Sequence, residues 1–163
     1  MRILYNSLVL QYLSYGTILW GNTYLKYTKK LEVLQKKAIR CMSKVGYNEH
    51  TLPYFHKYQV LKLNDIYKYQ MSQMGYGFVN SKLPLPLLRL FKKNEDVHNI
   101  NTRQIHNIYL PKVKLDLVKR SFIYECPHIW SGLNGNIRSS KSLTSFKYQI
   151  KRLLISQYSE NVW

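Results

Sequence analysis

A chain of 163 residues suits one domain, or two small ones sharing a core. Hydrophobic content of 45% with 20% charged residues excludes a disordered chain. Lys+Arg 25 against Asp+Glu 8 leaves +17, which points to a polyanionic partner because each neutralised phosphate releases condensed counterions, although an AT-rich coding sequence also enriches lysine, asparagine, isoleucine and tyrosine.

Residues 2–16 read as a helix that is apolar on most sides, through Ile3, Leu4, Leu8, Val9, Tyr12 and Leu13. Such a helix is normally buried by neighbours on several sides, so a packing partner outside this chain is expected. Asn6, Ser7 and Gln11 interrupt the run, it falls short of the ~20 apolar residues of a membrane span, and no small-x-small cleavage site follows. Neither a secretion signal nor a membrane association is expected. Gly16 and Gly21-Asn22 mark turns.

Residues 24–45 form the clearest helix, with Leu31, Leu34, Ala38, Met42 and Val45 at three- and four-residue steps as its apolar stripe. Lys29, Lys30, Lys36, Lys37, Arg40 and Lys44 cover the remainder beside one acid, Glu32. Cys41 is expected in the core, and Gly46 as the C-terminal stop. Thr51 is placed to cap a short turn with Pro53 inside it. A third helix runs from Leu63 to Val79, with Leu63, Tyr67, Gln70, Met74 and Phe78 on one side, and Leu83-Pro-Leu-Pro-Leu-Leu88 breaks it.

Residues 91–107 have no periodicity and read as an extended linker. Ile108-Tyr-Leu, Val113-Lys-Leu and Ser121-Phe-Ile-Tyr124 are β-prone and predict a small two-stranded ribbon; Pro127-His-Ile-Trp130 then begins one helical turn. Ser142 caps a last amphipathic helix with Phe146, Ile150, Leu153, Leu154 and Tyr158 inward and Lys147, Lys151 and Arg152 outward. The fold expected is mainly α: a helical region over 1–90, the linker over 91–107, and a β-ribbon plus helix over 108–163.

Catalytic chemistry is thin. A polymerase palm needs clustered carboxylates around two metal ions, and Asp65, Asp96 and Asp116 stand in three separate segments with no Tyr-x-Asp-Asp. The histidines and two cysteines lack zinc-module spacing, and no Gly-rich phosphate loop is present, so neither metal, cofactor nor small-molecule substrate is expected. Cys41 and Cys126 make no disulfide framework, which fits an intracellular compartment, cytoplasmic or nuclear.

Binding chemistry remains. The 24–45 helix offers ammonium groups along about 30 Å at ~1.5 Å per residue, enough to follow several phosphates. With one acid among so many bases, contact with nucleic acid is expected; a solvated face is the alternative. Lys147, Lys151 and Arg152, with Arg138 and Lys141, form the second candidate surface. Arg103, beside Thr102, is suited to bidentate pairing with a phosphate or to a structural salt bridge. Tyr24, Tyr27 and Tyr47 bracket the basic helix and are expected as core and rim residues, with stacking on a base as the alternative. Trp20 and Trp130 are expected in the core.

Two ordered blocks carry more. Leu13-Ser-Tyr-Gly16 and Trp20-Gly-Asn22 lead into Leu31-Glu-Val-Leu-Gln-Lys-Lys-Ala-Ile-Arg40; His98-Asn-Ile-Asn-Thr-Arg103, Cys126-Pro-His-Ile-Trp130 and Ser142-Leu-Thr-Ser-Phe-Lys147 follow. In this order they resemble the carboxy-terminal portion of reverse transcriptases from non-LTR (LINE-type, jockey-like) retrotransposons, beyond the catalytic palm. The resemblance places Tyr15, Gly16, Trp20, Gly21, Leu34, Gln35, Lys36, Lys37, Ala38 and Arg40 in a thumb that grips the template–product duplex. It matches Asn101, Thr102, Arg103, Pro127, Trp130, Leu133, Ser142, Phe146 and Lys147 to the later block. Ile100 stands for a tyrosine, Cys126 for a glycine, and Asn134 and Gln11 for prolines of the family pattern.

The resemblance implies a non-enzymatic fragment that binds RNA or an RNA/DNA hybrid, with the missing palm and fingers as packing partner of residues 2–16. The alternative is a standalone basic helical module docking on an acidic protein.

Overall fold

The computed structural model describes residues 2–98 and 105–160. Among them the chain is helical and holds no strand; one isolated antiparallel bridge joins Lys93 and Ile108. Two compact units form, Met1–Tyr69 with Tyr148–Trp163, and Gln70–Lys147.

In the first unit α1 (Arg2–Tyr5), a π turn (Asn6–Leu10) and α2 (Gln11–Ser14) run on as one helix, because Tyr5 and Leu10 keep helical backbone angles at the junctions. Gly16, in the left-handed region at φ 61°, turns the chain into α3 (Thr17–Trp20) without the clash a Cβ would make. The unit continues through α4 (Leu25–Ser43) and α5 (Leu52–Lys57). It also takes the start of α6 (Leu63–Val79) and most of α11 (Leu143–Glu160). Ile39, Phe55, Leu63, Ile66, Ile150, Leu154 and Tyr158 make its core.

Two polar groups hold that core in register. Gln35 Nε2 donates to the Tyr5 hydroxyl and to the Leu61 carbonyl, each at 2.9 Å, while its Oε1 accepts from the Leu63 N–H at 3.0 Å. The last bond satisfies one of the orphan donors that begin α6. The Tyr158 hydroxyl accepts from the Lys62 N–H at 3.0 Å and donates to the Asp65 carboxylate. Burial first, and the Asp65 hydrogen bond second, push the Tyr158 phenol far above its ordinary range.

Several expectations change here. The buried face of α4 is Thr28, Gln35, Ile39 and Met42, and Leu34 is 57% exposed. Gln35 finds three hydrogen-bond partners inward, so the core stripe is rotated from the one that leucine spacing predicts. The helix ends on Lys44, not Gly46: Lys44 is left-handed (φ 55°, ψ 42°), and the Val45 N–H reaches the Arg40 carbonyl at 3.2 Å. Cys41 lies exposed rather than in the core. Trp20 is half-buried, its Nε1 donating to the Tyr15 carbonyl at 2.9 Å. Thr51 precedes α5 as expected, with Pro53 in the first turn, but its side chain makes no capping bond.

The second unit holds the rest of α6, α7 (Leu85–Leu88), a 3-10 turn (Asn94–Asp96), α8 (Asp116–Lys119), α9 (Phe122–Ser131), α10 (Gly135–Arg138) and the start of α11. Here α6 buries Met71, Met74, Tyr76 and Phe78, so it is covered on more than the single side its sequence indicates. Trp130 is 2% exposed and lies against Gly75, where an added Cβ would meet its ring at 2.8 Å. Phe146 packs on Tyr76 with ring centroids 4.6 Å apart. Ser142 caps α11 through its hydroxyl, which accepts from the Ser145 N–H at 3.1 Å.

The predicted β-ribbon does not form among the described residues. Ser121 is the N-cap of α9, and Phe122, Cys126 and Trp130 recur every four residues on its inward side. That helical stripe outweighs the β preference of Phe122, Ile123 and Tyr124. Pro127 lies inside α9 rather than at its start.

Candidate nucleic-acid interface

The rotation of α4 decides where its cations point. At roughly 100° per residue, Lys26, Lys30 and Lys37 come opposite the buried Thr28, Gln35 and Ile39, Lys29, Lys36 and Arg40 flank them on one side, and Lys44 lies exposed at the C-terminal cap. Lys26 joins this row although the leucine pattern did not mark it; its four-residue step to Lys30 and eleven-residue step to Lys37 are the signal that finds it. From Lys26 to Lys44 the row extends about 27 Å.

The lysines of the row are exposed, and among the described residues none of the seven cations lies within ion-pair distance of a carboxylate. A solvated helix face ordinarily interleaves signs, so an uncompensated row of this length favours an external polyanion. Arg40 is held more firmly. Its Nε donates to the Glu49 carbonyl at 2.9 Å, and its guanidinium lies 5.7 Å from the Tyr47 ring centroid.

Tyr24, Tyr27 and Tyr47 are all exposed, which overturns a core place for them and leaves the rim one. They stand at the start, on the flank and beyond the end of the basic helix, where rings can stack on bases. A cavity of about 210 Å³, lined by Glu32, Gln35, Lys36, Phe55, Lys62, Leu63 and Asn64, opens beside the Lys36 edge.

The remaining predicted cations do not gather into one site. Lys151 and Arg152 are on the outward side of α11 in the first unit, and Lys147 is half-buried in the second. Lys151 was expected; Arg2, close enough to repel it, was not. Partial desolvation of its stem, then the Arg2 charge, hold the Lys151 ammonium below its ordinary range. Arg103, with Asn101 and Thr102, lies outside the described residues.

Reactive groups have other roles. Cys126 is fully buried, burial pushes its thiol up to about 12, and its sulfur faces the Met71 carbonyl at 3.7 Å. Asp96 accepts from the Lys93 N–H at 2.9 Å, and Asp116 pairs with Lys119 at 3.3 Å. Among the described residues no group of three or more His, Cys, Asp or Glu side chains could hold a metal ion, and no helix is long and apolar enough to cross a membrane. Comparison with family models, with curated proteins and with solved structures finds no match to this chain.

Proposed function

We propose that this chain is the thumb and post-thumb region of a non-LTR retrotransposon reverse transcriptase, and that it grips the template–primer duplex while catalysis belongs to palm carboxylates elsewhere. The observation that carries the binding role is the unpaired cationic row of α4. Among the described residues seven positive groups along α4 and at its C-terminal cap have no carboxylate partner, and exposed tyrosines flank them. Phosphate contact of this kind is sequence-independent and salt-sensitive.

The polymerase origin rests on the ordered sequence blocks. The exposed face of the first helix, with Ile3 81% and Tyr12 80% open, is the surface we assign to the palm and fingers. An upstream reading frame with Tyr-x-Asp-Asp joined to this chain tests that origin.

The binding role is tested by fluorescence anisotropy of a labelled RNA/DNA hybrid across a salt series. Each phosphate contact contributes about 0.9 to the slope of log affinity against log salt. Replacing Lys26, Lys30 and Lys37 by alanine is expected to lower that slope by roughly 2–3. These side chains point away from the core, so the fold is expected to survive. An unchanged slope moves the interface off α4; salt-independent or absent binding removes the nucleic-acid role and leaves docking on an acidic protein.

A further inference from the structure

Between the bridge at Ile108 and the start of α8 the chain runs without a turn or bend. Pro111 fixes its own φ near −65°, its ring keeps Leu110 out of the helical region, and Leu115 is extended at φ −79°, ψ 129°. Exposure alternates along it: Tyr109, Pro111 and Val113 are half-buried, whereas Leu110, Lys112 and Lys114 are open. Period-two burial is the mark of a strand with one face on a core.

This extended segment has no ladder. The Tyr109 N–H donates to the Lys92 carbonyl at 2.8 Å, and the next backbone bond is the Leu115 carbonyl accepting from Val118 at 3.1 Å. Among the described residues Leu110 to Lys114 neither donate nor accept one. Successive peptide groups of an extended chain point to opposite edges. Tyr109, Pro111 and Val113 therefore share the Lys92 side, and Leu110, Lys112 and Lys114 share the other. The donor missing at Pro111 falls on the first side, so the open edge keeps all of its N–H groups.

We propose that Leu110–Leu115 is a docking edge that takes up an acidic, extended segment of a partner protein by strand addition. Main-chain hydrogen bonds would supply affinity, and Lys112 and Lys114 the choice of partner. A second copy of this chain does not fit, because antiparallel pairing would set lysine against lysine. Edge lysines alone serve to prevent pairing. Here they stand beside Leu115 and Leu117, both exposed beyond two-thirds, an apolar surface that a guarded edge would not present.

The probe is a fluorescein-labelled decapeptide of alternating Glu and Val, titrated into the isotope-labelled full chain. Expected are amide shifts at Leu110, Lys112 and Lys114 and an affinity that salt weakens. N-methylation of alternate peptide amides, which removes at least two hydrogen bonds, should reduce affinity at least roughly tenfold, and Lys112→Pro in the protein, which removes one N–H, about threefold or more. Lys112 is open to solvent and unbonded, so the proline variant is expected to fold. Equal binding of the methylated peptide, shifts confined to the α4 lysines, or no binding at millimolar peptide would overturn the proposal. So would an RNA/DNA hybrid that moves these three amides while the peptide does not.

Discussion

Gln35 stands inside the Leu-Gln-Lys-Lys-Ala-Ile-Arg block that carries the family resemblance, yet it points inward, 2% exposed, with all three of its bonds made to the protein itself. Its place in the block is therefore structural, whereas Lys36 and Lys37 beside it are exposed. Gln35→Leu keeps most of the volume but strands the Leu63 N–H, the Leu61 carbonyl and the Tyr5 hydroxyl. The expected loss of stability is about 2–4 kcal/mol in urea unfolding, since a buried unpaired group costs ~1–3 kcal/mol. A loss below ~0.5 kcal/mol would show that these groups find other partners. Nothing in the sequence distinguished Gln35 from an exposed glutamine, because its partners lie 26 to 30 residues away.

At the scale of elements, α4, α6 and α11 were legible because each repeats apolar residues at helical steps over many turns. Their boundaries follow Tyr24, Lys62 and Ser142. The face of α4 was less legible: leucine spacing placed Leu34 inside, whereas Ile39 is fully buried and Leu34 is open. The contrast is testable. Ile39→Ala is expected to cost about 2–5 kcal/mol and Leu34→Ala under ~0.5 kcal/mol in the same unfolding assay. Comparable losses at both positions would restore the leucine-centred stripe and turn the cationic row with it. Residues 121–131 failed for a different reason: Phe122, Ile123 and Tyr124 favour a strand locally, and only the longer Phe122, Cys126, Trp130 repeat reveals α9. In 108–115 the extended conformation was legible, but the absence of a pairing strand was not, because pairing is a property of distant segments.

Across the whole molecule the charge balance shapes stability as well as binding. Eight carboxylates leave few groups that could lose stabilising ionisation in acid, and Glu95, held below its ordinary range by hydrogen bonds from Lys93 and His106, is at the surface. The alkaline side differs. Tyr5 and Tyr158, chiefly through burial, are raised, and Cys126 is raised from 9.0 to about 12. A raised folded-state value means the folded chain holds its proton after the unfolded chain has released it. The stability these groups give is complete below the unfolded value and is lost as pH rises towards the folded one. For Cys126 the window is about pH 9 to 12, with a slope of up to ~1.4 kcal/mol per pH unit. Loss of lysine charge opposes this trend by relieving repulsion within a chain of net +17. Urea midpoints measured at pH 8, 9, 10 and 11 are expected to fall above pH 9, and to fall less steeply in Cys126→Ala. The cavity left by that substitution lowers stability equally at every pH, so the difference in slope isolates the thiol. Parallel curves for the two proteins would mean that water reaches Cys126 and that the core between α6 and α9 is looser than the packing of Trp130 on Gly75 requires.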